Sequence, residues 1–67
     1  MIRRPTTFIQ ARHLRVARLV GEGLSSKEIG QRLGVKAATV DEYVLQIRQY
    51  CGYKNRAELA VRGIRLP

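Results

Sequence analysis

The stretch from Gly23 to Tyr50, GLSSKEIGQRLGVKAATVDEYVLQIRQY, leaves this chain few ways to fold. Ser25 and Glu28 stand three apart, so each side chain can satisfy an orphan amide at the start of a helix in a reciprocal capping box. Ile29 and Leu33 give that helix a narrow apolar stripe. Gly34 supplies the left-handed residue that closes it. Val40, Val44, Ile47 and Cys51 then repeat at helical spacing and define the buried side of a second, longer helix. Gly30, inside the first of the two, costs roughly 1 kcal/mol relative to alanine. That cost is tolerable where a neighbouring backbone comes close, as where two helices cross tightly. Two helices joined by a glycine-containing turn in a small basic domain point to a helix-turn-helix.

The balance of charge supports that direction. The 67 residues make one domain with a small core, and 13 Lys and Arg against five Asp and Glu leave a formal charge of +8. A surplus of this size on so small a domain favours a polyanionic partner, usually nucleic acid. It is unevenly placed: residues 1–21 carry Arg3, Arg4, Arg12, Arg15 and Arg18 and no acid. Two of the five acids, Asp41 and Glu42, are adjacent in the second helix of the motif. A single cysteine excludes an internal disulfide. There is no apolar run of about 18 residues and no signal-peptide core, so a soluble cytoplasmic protein without a membrane partner is expected.

The flanking segments complete an all-α domain. Met1 to Pro5 reads as a flexible basic arm whose Arg3 and Arg4 can reach a phosphate or a minor groove. Residues 6–67 form the domain, with helices at about 8–22, 26–33, 37–50 and 56–62. Thr6 and Thr7 are N-cap candidates for the first helix, with Ile9, Val16, Leu19 and Val20 as its buried stripe and Leu14 outside it. Leu24 plugs the core before the next cap. Gly52 ends the third helix, Tyr53 packs under the turn, and Asn55 with Glu58 repeats the capping logic ahead of a fourth helix. Ala57, Leu59, Ala60, Val61 and Ile64 make that helix apolar on more than one side, one for the core and one for a partner. His13, the only histidine, has no cysteine or acid at ligand spacing. With no triad and no phosphate-cradling loop, no catalysis, metal, cofactor or small-molecule substrate is expected.

The run GLSSKEIGQRLGVKAATVDEYVLQIRQYCGYKNRAEL resembles the LuxR/GerE-type helix-turn-helix domain. That family's pattern is approximately G-L-S-N-K-E-I-A, then L-G-I-S-x-x-T-V-K-x-H, then I-x-x-K-L-G-V-x-N-R-x-E-L. Gly23, Leu24, Ser25, Lys27, Glu28, Ile29, Leu33, Gly34, Thr39, Val40, Ile47, Gly52, Asn55, Arg56, Glu58 and Leu59 match it. The resemblance implies four helices, the third in the DNA major groove and the fourth mediating dimerisation. Together with the charge and helical spacing of the chain, it leads to an expected DNA-facing set of Ser26, Lys27, Arg32, Lys36, Ala38, Thr39, Val40, Glu42, Tyr43, Gln46, Lys54 and Arg56. Lys27 would contact a phosphate, and Thr39 and Val40 would open the recognition helix. A homodimer interface would use Ala57, Ala60, Val61 and Ile64. Such domains usually end a longer regulator, behind a receiver or ligand-binding domain. Here only the arm precedes the domain and the chain starts at Met1, so a stand-alone protein without phosphorylation or ligand control is expected.

The chain departs from the pattern where DNA would be read. Lys36 stands at the usual cap serine, Asp41 at a basic position and Tyr43 at a histidine. In the first helix His13 and Arg15 stand where the family carries acids. On a helical wheel the outward face of the third helix collects Ala38, Asp41, Glu42, Leu45, Gln46 and Gln49, with two acids and no cation. An acid can accept from a cytosine amino group, Leu45 can touch a thymine methyl, and Gln46 or Gln49 can pair with adenine. The rim of Lys27, Arg32, Lys36, Arg48, Lys54 and Arg56 must then outweigh the repulsion from phosphate. The resulting expectation is a dimeric, sequence-specific transcriptional regulator bound to double-stranded DNA. The alternative is a small module that docks on a transcription factor or RNA polymerase, or antagonises one, through the acidic third helix.

Overall fold

The computed structural model describes residues 9–64. The arm with Arg3 and Arg4, the caps expected at Thr6 and Thr7, and Phe8 lie outside that range. Four helices follow in order: α1 (Ala11–Gly21), α2 (Ser26–Leu33), α3 (Ala37–Cys51) and α4 (Arg56–Arg62), with no strand among the described residues. None is long and apolar enough to cross a membrane.

Local chemistry sets the helix ends. Ser25 caps α2, its hydroxyl accepting from the Glu28 amide at 3.2 Å while its own amide donates to the Glu28 carboxylate at 2.9 Å. Gly34 and Gly52 close α2 and α3 in the left-handed region, at φ 73° and 75°. Asn55 caps α4 through the Glu58 amide at 2.9 Å, but the Glu58 carboxylate reaches one residue further back, to the Lys54 amide at 3.1 Å. The start of α1 differs from the expected Phe8. Gln10 is the N-cap, with an extended backbone at φ −96° and ψ 167°. Its amide donates to Nδ1 of His13 at 3.2 Å, so the histidine fills the reciprocal half of a cap where an acid is commoner.

Each helix contributes to one core. Val16 of α1, Ile29 of α2, Val40 and Ile47 of α3 and Leu59 of α4 are the largest fully buried side chains. Val20, Val44 and Tyr53 pack among them, with Ile9, Leu24, Leu33 and Cys51 half-buried against the cluster. Tyr53 donates its hydroxyl to the Gly63 carbonyl at 2.5 Å and so ties the α3–α4 turn to the end of α4. Ala17 and His13 are also buried, although neither belonged to the expected α1 stripe.

Gly30 is the tightest point. A Cβ there would lie 2.5 Å from the Val35 carbonyl oxygen and 3.3 Å from the Ala37 nitrogen. The partner is therefore the backbone of the turn itself, which also bonds back to α2 through the Val35 amide and Gly30 carbonyl at 2.9 Å.

Two outcomes test this scaffold. Helix propensity alone would make Gly30→Ala stabilising by about 1 kcal/mol. Overpacking against backbone reverses the sign, and urea unfolding is expected to show a net loss of about 2 kcal/mol. The second concerns acid. The Ser25 backbone amide, then its hydroxyl and more weakly Arg32, hold the Glu28 carboxyl below its ordinary 4.5. A folded-state value below the unfolded one adds stability above 4.5 that is lost as pH falls through and below it. Glu28→Gln is expected to flatten that acid limb in thermal melts recorded against pH.

Candidate nucleic-acid interface

The surface built by α2, the turn and α3 starts from an uncapped helix. Lys36 is the N-cap of α3 at φ −73° and ψ 151° and makes no side-chain cap bond, and the first turn of α3 holds no acid. The positive end of the α3 dipole is thus not offset locally, which favours an anion such as phosphate. Along the rest of α3, Ala38, Asp41 and Gln49 are exposed, while Glu42, Leu45 and Gln46 are half-buried. Lys27, Arg32, Lys36 and Lys54 are exposed around them, and Thr39 is half-buried beside Lys36.

On one flank a polar brace joins three elements. Ser26 donates its hydroxyl to the Asp41 carboxylate. Arg56 donates through Nη1 to the Ser26 hydroxyl oxygen at 2.7 Å and through Nη2 to the Leu24 carbonyl at 3.1 Å. Its Nη1 also lies 3.9 Å from Asp41 Oδ1. The start of α2, the first half of α3 and the start of α4 are thereby held together. The ion pair is partly exposed and contributes little by itself. Its consequence is electrostatic: the Asp41 carboxylate has a hydroxyl donor and a guanidinium beside it, so it presents a weaker repulsive field than a bare acid. Further along, Arg48 donates through Nη2 to the Lys54 carbonyl at 2.5 Å and holds the turn before α4.

On the other flank α1 meets α3 through a histidine. Because Nδ1 of His13 accepts from the Gln10 amide, the ring proton sits on Nε2 and is donated to Gln46 Oε1 at 2.6 Å. The Tyr43 ring packs edge-on against His13 at 5.2 Å between centroids, and its hydroxyl accepts from Arg12 Nη1 at 3.0 Å. Both ring nitrogens of the only histidine are thus occupied. Among the described residues no group of three or more His, Cys, Asp or Glu side chains could hold a metal ion.

Residues 10–62 match the family described as bacterial regulatory proteins, luxR family. Over 52 residues the chain is 39% identical to the transcriptional regulatory protein DesR of Bacillus subtilis (strain 168), covering 78% of this chain and 26% of that protein. The chain belongs to the LuxR family. It spans about a quarter of the length of that relative, 26%. No solved structure gives a significant match.

Several residues expected at DNA in this LuxR-family domain have other surroundings. Val40 is fully buried, so its side chain packs in the core rather than facing the surface. Gln46 is bonded to His13 and Tyr43 to Arg12, each turned to the α1 side of α3. Ser26 and Arg56 are joined through the brace, with Arg56 reaching back to Leu24. At the expected dimer surface, Ala57 and Val61 are exposed, whereas Ala60 and Ile64 lean on the core. Sequence reasoning missed both flanking clusters. The one available signal was His13 three residues after Gln10, in the reciprocal position of a helix cap.

Removing His13 tests the α1–α3 flank. His13→Ala deletes two hydrogen bonds and leaves the Gln10 amide and Gln46 unpaired, and is expected to destabilise by about 2 kcal/mol in chemical denaturation. In a double-mutant cycle, Asp41→Asn and Arg56→Ala are expected to couple by about 0.5–1 kcal/mol; additive effects would show that the brace does not act as a unit.

Proposed function

We propose that this LuxR-family domain is a cytoplasmic, sequence-specific DNA-binding transcriptional regulator that lays α3 in the major groove and pairs with a second copy through α4. The carrying observation is the brace. With Asp41 flanked by Ser26 and Arg56, an outward strip of Ala38, Glu42, Leu45 and Gln49 lies amid the exposed cations Lys27, Lys36 and Lys54. Such a strip can read base edges: Gln49 by pairing with adenine, Glu42 by accepting from a cytosine amino group, Leu45 by contact with a thymine methyl. The cations and the uncapped start of α3 take the flanking phosphates, which carry most of the affinity and none of the sequence information. Val61, 85% exposed on α4, supports self-association there. In a two-fold dimer, α3 of each copy would enter successive major grooves about 34 Å apart. The alternative of a protein-docking α3 drew on two adjacent acids, and the engagement of Asp41 favours DNA over it.

Titration of labelled duplex at several salt concentrations tests the proposal. Arg48 and Arg56 are engaged internally, so four exposed cations remain on the rim, Lys27, Arg32, Lys36 and Lys54. The logarithm of affinity should fall with that of salt at a slope of about −4 per protomer. Lys27→Ala should reduce the slope by about 1 on every sequence, while Gln49→Ala should relax preference at one position of a selected site. Absence of duplex binding at low salt contradicts the proposal.

A further inference from the structure

A second basic surface lies between α1 and α2, and none of the DNA-reading strip belongs to it. One groove of about 460 Å³ is lined by Leu14, Arg15, Arg18, Leu19, Arg32 and Leu33. A second, of about 400 Å³, shares Arg15, Arg32 and Leu33 and continues to Arg12, Val35 and Tyr43. Together they form one trough with four arginines and no carboxylate in its lining. Glu28, one helical turn before Arg32, lines neither groove.

The lining is as apolar as it is basic. Among the described residues three large hydrophobic side chains are exposed, and two of them, Leu14 at 48% and Val35 at 37%, belong to this trough. Arginine guanidinium groups select for carboxylate or phosphate. A nucleic-acid backbone would satisfy the arginines but would leave the exposed Leu14 and Val35 without apolar partners. A second copy of this chain is a poor occupant, because it brings a charge of +8 of its own. A helix with leucine-like residues on one face and carboxylates on both margins satisfies both halves of the lining, in the manner of helix-in-groove recognition.

We propose that the α1–α2 trough is a docking site for an acidic amphipathic helix of a partner protein. Apart from Tyr43 of α3 and Arg32, which also stands on the rim of the α3 surface, this lining lies outside the strip proposed to read DNA, and the proposal holds whether or not α3 reads DNA.

The probe is a labelled synthetic helix of about 14 residues with leucines at i, i+3, i+4 and i+7 and glutamates at its margins, titrated against the whole chain at about 150 mM salt by fluorescence anisotropy. A scrambled peptide of the same composition and a labelled duplex are the comparisons. The amphipathic peptide is expected to bind about tenfold tighter than the scrambled one. Arg15→Ala with Arg18→Ala should lower peptide affinity about tenfold and duplex affinity by less than about threefold. Leu14→Ser, a milder surface change, should weaken the amphipathic peptide and leave the scrambled one unchanged. It carries the test if circular dichroism shows the double variant unfolded. Equal affinity for the two peptides, or none for either, overturns the proposal. So does a loss of duplex affinity as large as the loss of peptide affinity, which would make the trough a phosphate track.

Discussion

The closest approach between α2 and the turn that launches α3 is at Gly30 of this chain. The turn from Val35 to Ala37 rests on α2 at a distance that leaves no room for a Cβ, 2.5 Å from the Val35 carbonyl oxygen. That contact fixes where α3 begins and how it leaves α2. Once α3 starts at Ala37, Val40, Val44 and Ile47 fall on the core side and Asp41 comes within reach of Ser26. Arg56 can then close the brace, which carries the geometry through to α4. The close contact at Gly30 thus sits where α2 hands over to α3.

Electrostatics divides the surface into two regions that answer to different chemistry. Around α3, exposed cations flank a polar strip, and the most exposed acid on it sits beside a hydroxyl and a guanidinium. Along α1, the end of α2 and the turn after it, arginines lie beside the exposed Leu14 and Val35. The first pattern suits a duplex, whose phosphates are close and regular and whose base edges are hydrogen-bonding groups. The second suits a ligand that carries carboxylates and hydrocarbon together. The +8 charge of the chain does not distinguish the two, and the placement of Leu14 and Val35 does.

What the sequence revealed was chiefly local. The caps at Ser25 and Asn55, the left-handed glycines at 34 and 52, and the apolar spacing of α3 involve residues within a few positions of one another, so they can be read by spacing alone. The luxR-family pattern consists largely of these scaffold features, which is why all-α fold and family were legible. The interface was less so. His13 and Gln46 are 33 residues apart and Arg56 and Ser26 are 30 apart, and no spacing rule links such pairs. A wheel placed Gln46 outward because it has no term for α1 arriving beside it. Val40 shows the opposite difficulty: one residue matches both the core stripe and the family's recognition helix, and its side chain is buried in the core. The start of α1 was misplaced because Thr6 and Thr7 are better caps by type than Gln10, while the His13 ring supplies the reciprocal bond that favours Gln10.

The central claim is that α3 presents its outward strip, with the start of α2 and the turn, to double-stranded DNA. Backbone amide shifts of isotope-labelled protein, followed by NMR as a duplex carrying a selected site is added, test it most directly. The account predicts that the largest changes fall at Lys27, Lys36, Ala38, Glu42, Leu45 and Gln49, with α1 little affected. Changes centred on Arg12, Arg15 and Arg18, with the α3 strip unmoved, would contradict it.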